Sequence, residues 1–143
     1  MYYKNQLMRS KPIKDVMKRK NLTLDELLNE EDVQNGYNNS QPDLIKFMTE
    51  DRLKKMIEYV IKDSEDLKNQ NRTYKFPKVC AYLLSTKNER NEQFFNDPEN
   101  IKLIIAPLEQ PKINITRTWY LQLIYNGLLN NITDLFLNYL KDN

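Results

Sequence analysis

The segment LKKMIEYVI, residues 53–61, decides the fold of this chain, because its apolar side chains occur at positions i, i+3, i+4, i+7 and i+8. This spacing places them on one face of an α-helix. The same pattern, usually including its last position, begins again at Phe76, Ile101, Leu121 and Ile132. Short amphipathic helices that follow one another bury their apolar faces best by packing in pairs. The sequence therefore predicts an all-α fold, built as a stack of helices.

Capping residues predict where several of these helices begin and end. Thr23, with Glu26 three residues later, forms a capping box, and Thr49 is placed to cap the helix that contains LKKMIEYVI. A smaller helix is expected over residues 88–95. The segment NGYNNSQP, residues 35–42, is rich in turn-forming residues, so we expect it to break or end a helix.

The segment from Thr116 to Leu129 is apolar on nearly all sides, which is typical of an inner helix covered by several neighbours. Within it, Gly127 costs about 1 kcal/mol relative to alanine, which is tolerable if the missing side chain lets another helix come close. The helix predicted to begin at Ile132 ends the chain without a polar capping repeat. This pattern predicts the N-terminal fragment of a longer α-solenoid.

The charges divide the 143-residue chain into two parts. The net charge is +2, but seven basic residues lie in the first twenty positions, where Asp15 is the one acidic residue. We expect residues 1–21 to form a basic N-terminal segment with a short helix opened by Pro12, and residues 22–143 to form a helical-repeat domain. A solvated terminal helix is favoured over an arm for nucleic acid or lipid, because no aromatic platform or long apolar face accompanies the charge.

The side chains that carry most enzyme chemistry are scarce in this sequence. It has no histidine and two glycines, which excludes histidine-based triads and general bases, most zinc sites and glycine-rich phosphate loops. The single cysteine, Cys80, lies on an apolar helix face, where we expect a buried and inert thiol. We therefore expect no enzymatic activity, no cofactor, no metal and no small-molecule substrate.

Two features of the sequence suggest where the protein is found. The single cysteine cannot form a disulfide within the chain, which favours a reducing compartment. Residues 1–20 lack the apolar core of a signal peptide, and no apolar run approaches the length needed to cross a bilayer. We expect a soluble protein of the cytoplasm, and secondarily of the nucleus.

Two polar segments are candidates for a partner-binding surface. Glu30, Glu31 and Asp32 follow the capped helix, and adjacent carboxylates on a helix diverge too much to form a metal cage or a catalytic pair. They are better suited to a solvated or interface-directed acidic edge. The run RTYKFP, residues 72–77, has two interpretations: it packs the link against the core and sets a helix start, or it offers aromatic and basic groups to a partner.

Several short segments of this sequence resemble, in their order and approximate spacing, the start of the domain that defines the SAPS-domain family. They are MYYK at residues 1–4, LTLDELLNEEDV at 22–33, LIKF at 44–47, YKFP at 74–77 and LLST at 83–86. That family comprises regulatory subunits of the protein phosphatase six and Sit-four type of serine/threonine phosphatase. The family's domain runs well beyond 143 residues. In this chain Pro42 and the preceding asparagine-rich link interrupt a helix that is typically more continuous in the family.

The resemblance implies an armadillo- or HEAT-like helical-repeat stack that binds a serine/threonine protein phosphatase catalytic subunit and influences its choice of substrate. It implies that the partner-binding residues are Leu24, Glu30, Glu31, Asp32, Tyr74, Lys75, Phe76 and Pro77. The alternative function is a small helical adaptor attached to an anionic membrane or to nucleic acid through its basic N-terminal helix. Loss of binding on deletion of residues 1–20 would separate the alternative from a phosphatase subunit.

Overall fold

The computed structural model describes residues 12–62, 74–109 and 115–131, together with residue 141, and this described part is all-α. It contains no strand. The predicted helix over residues 132–140 and most of the predicted basic segment, residues 1–11, lie outside the described residues. The helices, numbered in chain order, are α1 (Ile13–Val16), α2 (Leu24–Leu28), α3 (Val33–Asn38), α4 (Pro42–Phe47), α5 (Glu50–Ile61), α6 (Phe76–Leu84), α7 (Glu89–Phe95), α8 (Pro98–Ile105) and α9 (Ile115–Asn131).

Most of the helix starts follow from local chemistry. The Thr23 hydroxyl accepts the backbone N–H of Glu26 at 3.1 Å, and the Thr49 hydroxyl caps α5 in the same way. Asn88 caps α7, and its side-chain oxygen lies 2.8 Å from the third residue's backbone nitrogen. These contacts satisfy N–H groups that have no partner within the helix. The predicted caps at Thr23 and Thr49 and the small helix over residues 88–95 are confirmed.

The asparagine-rich segment at residues 35–42 ends a helix as predicted, although α3 runs through its first half. Tyr37 is fully buried, and its hydroxyl donates to the buried side-chain oxygen of Asn91. Gly36 faces α1 so closely that a Cβ atom would lie 2.8 Å from Ile13 Cγ2. Burial of one large side chain thus outweighs the local turn preference. The helix ends at Asn38, and two residues later Ser40 has a φ of 56°, which turns the backbone into the left-handed region.

Helix α6 lies at the centre of the described part and contacts α2, α3, α5 and α9. Its inner side chains, among them Phe76, Cys80 and Leu83, are buried, which agrees with the predicted inert thiol. On the α9 side the approach is very close. A Cβ atom on Gly127 would lie 2.7 Å from the Ser85 carbonyl oxygen, which confirms that this glycine permits another helix to come near.

Helix α9 is covered on one side by the described residues. Leu121, Ile124 and Leu128 are buried against the core, whereas Ile115 and Trp119 are 88% and 48% exposed. Among the described residues, α9 is therefore not covered on several sides as predicted for residues 116–129, whereas α6 contacts four other helices. None of the described helices is both long and apolar enough to cross a membrane.

The C-terminal carbonyl groups of α2 to α8 are bonded by side chains from residues later in the chain. The last carbonyls of a helix have no partner within it, and glycine in the left-handed region is the common solution. This chain has two glycines, neither with a positive φ, so other side chains serve instead. From α2 to α8, the donor and acceptor pairs are Lys75 to Asn29, Asn88 to Tyr37, Arg52 to Phe47, Arg117 to Tyr59 and Val60, Asn91 to Leu83, Asn100 to Phe94, and Tyr125 to Ile104.

Candidate partner-binding surface

The turn after α2 carries the three predicted acidic residues, and we call Glu30, Glu31 and Asp32 the acidic turn. Glu30 forms an ion pair with Arg19 at 3.0 Å and is half-buried. Asp32 accepts the backbone N–H of Ile13 at 3.3 Å, which ties α1 to this turn. Glu31 is the one of the three that is exposed. Two of the three carboxylates therefore stabilise the fold through these contacts, and Glu31 is the one that a partner can reach most easily.

The aromatic and basic run before α6 is divided between the core and the surface. Tyr74 is 69% exposed and Lys75 is also exposed. Phe76 is buried and stacks on Tyr59, with ring centroids 5.7 Å apart, and Pro77 is buried in the first turn of α6. Phe76 therefore packs as the structural interpretation predicts. Tyr74 does not pack against the core, and that part of the interpretation is wrong.

The prediction of partner binding is corrected for three residues, because their side chains are buried. The side chains of Leu24, Phe76 and Pro77 all lie in the core. A partner could contact them only if the fold opened. The resemblance implied a partner-binding role for them, whereas their apolar character explains why they are buried. The surface retains Glu31, Tyr74 and Lys75, with Glu30 and Asp32 partly accessible.

The structure brings the two predicted segments together. The Lys75 ammonium group donates to the backbone oxygen of Asn29 at 3.3 Å and to its side-chain oxygen at 3.2 Å. Asn29 directly precedes the acidic turn, although it is 46 residues from Lys75 in the sequence. The acidic turn and the start of α6 are therefore parts of one continuous surface.

A cleft between α3 and α6 extends this surface, and we call it the α3–α6 cleft. It is an open cavity of about 480 Å³ lined by Gln34, Lys75, Lys78, Val79 and Tyr82. The sequence interpretation missed all of these except Lys75. A usable signal was present, because Lys78 and Tyr82 follow Tyr74 at intervals of four residues and so share one helix face.

The basic N-terminal segment is partly neutralised where the structure describes it. Lys18 lies 3.8 Å from Asp15, and Arg19 pairs with Glu30. Ion pairs of this kind reduce the charge available for phosphate groups or anionic lipid. The described end of the segment therefore gives no specific support to the adaptor alternative.

Two buried tyrosines have perturbed acidity. Burial raises the pKa of Tyr37 well above its usual value, although the Asn88 hydrogen bond and the Arg90 charge act in the opposite direction. Burial also raises the pKa of Tyr125 to about 12. Both phenols hydrogen-bond to groups of neighbouring helices and serve the packing. Within residues 12–62, 74–109 and 115–131, no group of three His, Cys, Asp or Glu residues is placed to hold a metal ion.

Comparisons of the chain with protein-family models, with curated proteins and with solved structures find no match.

Proposed function

We propose that this protein is a non-catalytic regulatory subunit that binds the catalytic subunit of a serine/threonine protein phosphatase and influences its choice of substrate. The observation that carries the proposal is the contact between Lys75 and Asn29, which joins two segments that resemble the SAPS-domain family into one exposed surface. We expect this role to be performed in the cytoplasm, and secondarily in the nucleus.

The fold proposed for this role is an armadillo- or HEAT-like helical stack. Its support comes from consecutive helices that contact one another as pairs, such as α5 with α6 and α7 with α8, and from the spacing of their apolar residues. In such a stack, helix ends and links are available to a partner while the helix faces form the core. The acidic turn and the start of α6 are regions of this kind.

The proposed mechanism is rigid presentation of Glu31, Tyr74 and Lys75. Helix α6 packs against four other helices, so the residues at its start are held by the core. A surface that is ordered before binding avoids much of the conformational entropy that flexible loops lose when they bind. Exposed tyrosine is one of the side chains that contribute most to protein interfaces. We expect Tyr74 to provide the largest single share of the binding energy.

The test is capture of a purified protein phosphatase six type catalytic subunit by the tagged full chain. We expect Tyr74→Ala to weaken capture about tenfold or more, since a central aromatic residue of an interface typically contributes at least 2 kcal/mol. Glu31→Lys should weaken it by a smaller factor, because Glu31 is exposed to solvent. Glu30 is not suitable for charge reversal, because its ion pair with Arg19 is part of the fold.

Matched controls lie elsewhere on the surface. Trp119→Ala removes an exposed aromatic side chain from α9, and Glu109→Lys reverses an exposed carboxylate after α8. Both variants should capture the phosphatase as well as the original chain does. Failure of the original chain to capture the catalytic subunit, or equal capture by the Tyr74→Ala and Trp119→Ala variants, would refute the proposal.

A further inference from the structure

We propose that the α3–α6 cleft binds a short acidic peptide segment, whose carboxylates contact Lys75 and Lys78 and whose apolar side chains contact Tyr74 and Tyr82. This inference deepens the proposed function and rests on it, because the cleft continues the surface assigned to the phosphatase. It specifies the chemistry of the part of the partner that enters the cleft.

The charge of the cleft is the first reason. Within the described residues, Lys54, Lys55 and Lys102 each pair with a glutamate of their own helix. Among the described residues, Lys78 makes no ion pair, and Lys75 bonds to the neutral oxygens of Asn29 rather than to a carboxylate. The described residues that line the cleft include no acidic side chain. Two positive charges therefore face an open cavity, which is complementary to a carboxylate-bearing ligand.

The position of these lysines on α6 is the second reason. Lys75 is the N-cap residue and Lys78 lies in the first turn, where the helix dipole already carries a partial positive charge. Helices α5 and α8 instead place acidic residues in their first turns. Positive side chains at a helix N-terminus cost stability, and a bound carboxylate would remove that cost.

The shape of the surface favours a peptide. Lys78 and Tyr82 lie four residues apart on the exposed face of α6, and Tyr74 precedes the helix at the same interval. Tyr82 is 37% exposed. Val79 is half-buried and contributes an apolar patch between the charges. A segment that alternates carboxylates with apolar residues can contact both kinds of group. A nucleic acid would meet only two lysines among the described residues of this cleft, fewer than the several phosphate contacts on which its binding depends.

The experiment is fluorescence anisotropy with the full chain and a short fluorescein-labelled peptide in which glutamate alternates with leucine. The comparison peptide has glutamine at every glutamate position. We expect the acidic peptide to bind and the glutamine peptide to bind about tenfold more weakly, with the difference shrinking as salt is added. Lys75→Glu/Lys78→Glu should weaken binding of the acidic peptide by about tenfold or more, because attraction becomes repulsion.

The control variant is Lys20→Glu/Lys87→Glu, which makes the same change in net charge at two exposed lysines outside the cleft. It should bind the acidic peptide nearly as well as the original chain, and circular dichroism should show that both double variants are folded. Equal binding of the two peptides, equal loss in the two double variants, or tighter binding of a single-stranded oligonucleotide would each overturn the inference.

The two proposals can fail separately. If the phosphatase is captured through Tyr74 but the acidic peptide does not bind, the proposed function stands and the inference about the cleft is wrong. If the acidic peptide binds through Lys75 and Lys78 but no phosphatase catalytic subunit is captured, the acidic preference is supported and the phosphatase role is wrong.

Discussion

Replacement of Gly127 by alanine should destabilise this protein, even though alanine is the better helix former. On an exposed helix face the substitution would stabilise the fold by about 1 kcal/mol. Here the added Cβ atom would lie 2.7 Å from the Ser85 carbonyl oxygen and 2.9 Å from the Ser85 Cα. Both distances are well below ordinary van der Waals contact. The neighbour is backbone, so it cannot rotate away as a side chain could.

The expected magnitude follows from these opposing terms. To restore normal contact, α9 and the end of α6 must separate by several tenths of an ångström, and such overpacking costs about 1–3 kcal/mol. Because the neighbour is backbone, we expect an overpacking cost of about 2–3 kcal/mol, and subtraction of the gain in helix propensity leaves a net loss of about 1–2 kcal/mol. The loss should appear as a lower urea midpoint with an unchanged m value, because the surface exposed on unfolding is nearly the same.

A second glycine provides the matched control. A Cβ atom on Gly36 would lie 2.8 Å from Ile13 Cγ2, which belongs to a side chain of the short helix α1. That side chain and its helix can adjust, so Gly36→Ala should cost less than Gly127→Ala. The measurement is equilibrium urea unfolding followed by circular dichroism. If Gly127→Ala is as stable as the original chain, or Gly36→Ala is the more damaging change, the argument from close backbone contact is refuted.

Four further predictions concern polar contacts and backbone geometry. Tyr37→Phe leaves the buried Asn91 side-chain oxygen without its donor and should cost about 1–3 kcal/mol in urea unfolding, whereas an unchanged midpoint would contradict this. Arg117→Leu leaves the last carbonyls of α5 without their donor and should cost about 2–4 kcal/mol, with faster amide exchange in the last turn of α5; normal exchange there would count against it. Ser40→Gly should raise the free energy of unfolding by about 1 kcal/mol, because glycine adopts a φ of 56° without steric cost, and a fall would show that the serine side chain is needed. For Tyr125 the pKa is raised from 10.0 to about 12, so its contribution to stability is complete below pH 10 and declines as the pH rises towards 12; circular dichroism with tyrosinate absorbance should detect this, and a flat profile would be inconsistent with it.

The sequence predicts the longer helices well, because their positions depend on local information. The apolar spacing of residues 53–61 and the cap at Thr49 are both contained within α5. The close approach at Gly127 could be anticipated as well, because glycine inside a long apolar helix suggests that a side chain would not fit. In these cases the residues that determine the structure are near one another in the chain.

The rest depends on contacts between distant residues. Helix α3 contains turn-forming residues, and its stability comes from Tyr37, whose partner Asn91 is 54 residues away. Arg117 looks like a surface residue in the sequence, yet it is 6% exposed because it bonds to the end of α5. No local pattern indicates either contact. Both involve polar groups that become satisfied only after the helices have packed.

The candidate site also combines features that the local sequence indicates with features that only the packed fold provides. Exposure of Tyr74 and Lys75 agrees with their place in a polar link, and the apolar spacing that begins at Phe76 already indicated burial of that side chain. The α3–α6 cleft requires α3 to lie beside α6, which is a property of the packed fold. Residues such as Lys78 therefore gain their candidate role from a neighbour that the sequence did not place correctly.

Side chains from later in the chain donate hydrogen bonds to the C-terminal carbonyls of α2 to α8, and this has a consequence for how the protein unfolds. From α2 to α8, each helix terminus depends on a donor that lies later in the chain, so no terminus can form completely before its donor has docked. Loss of one helix would expose the carbonyls of another, which couples the helices energetically. The molecule should therefore melt in one cooperative, all-or-none transition rather than fraying helix by helix, in contrast to the stepwise melting that nearest-neighbour helical arrays can show.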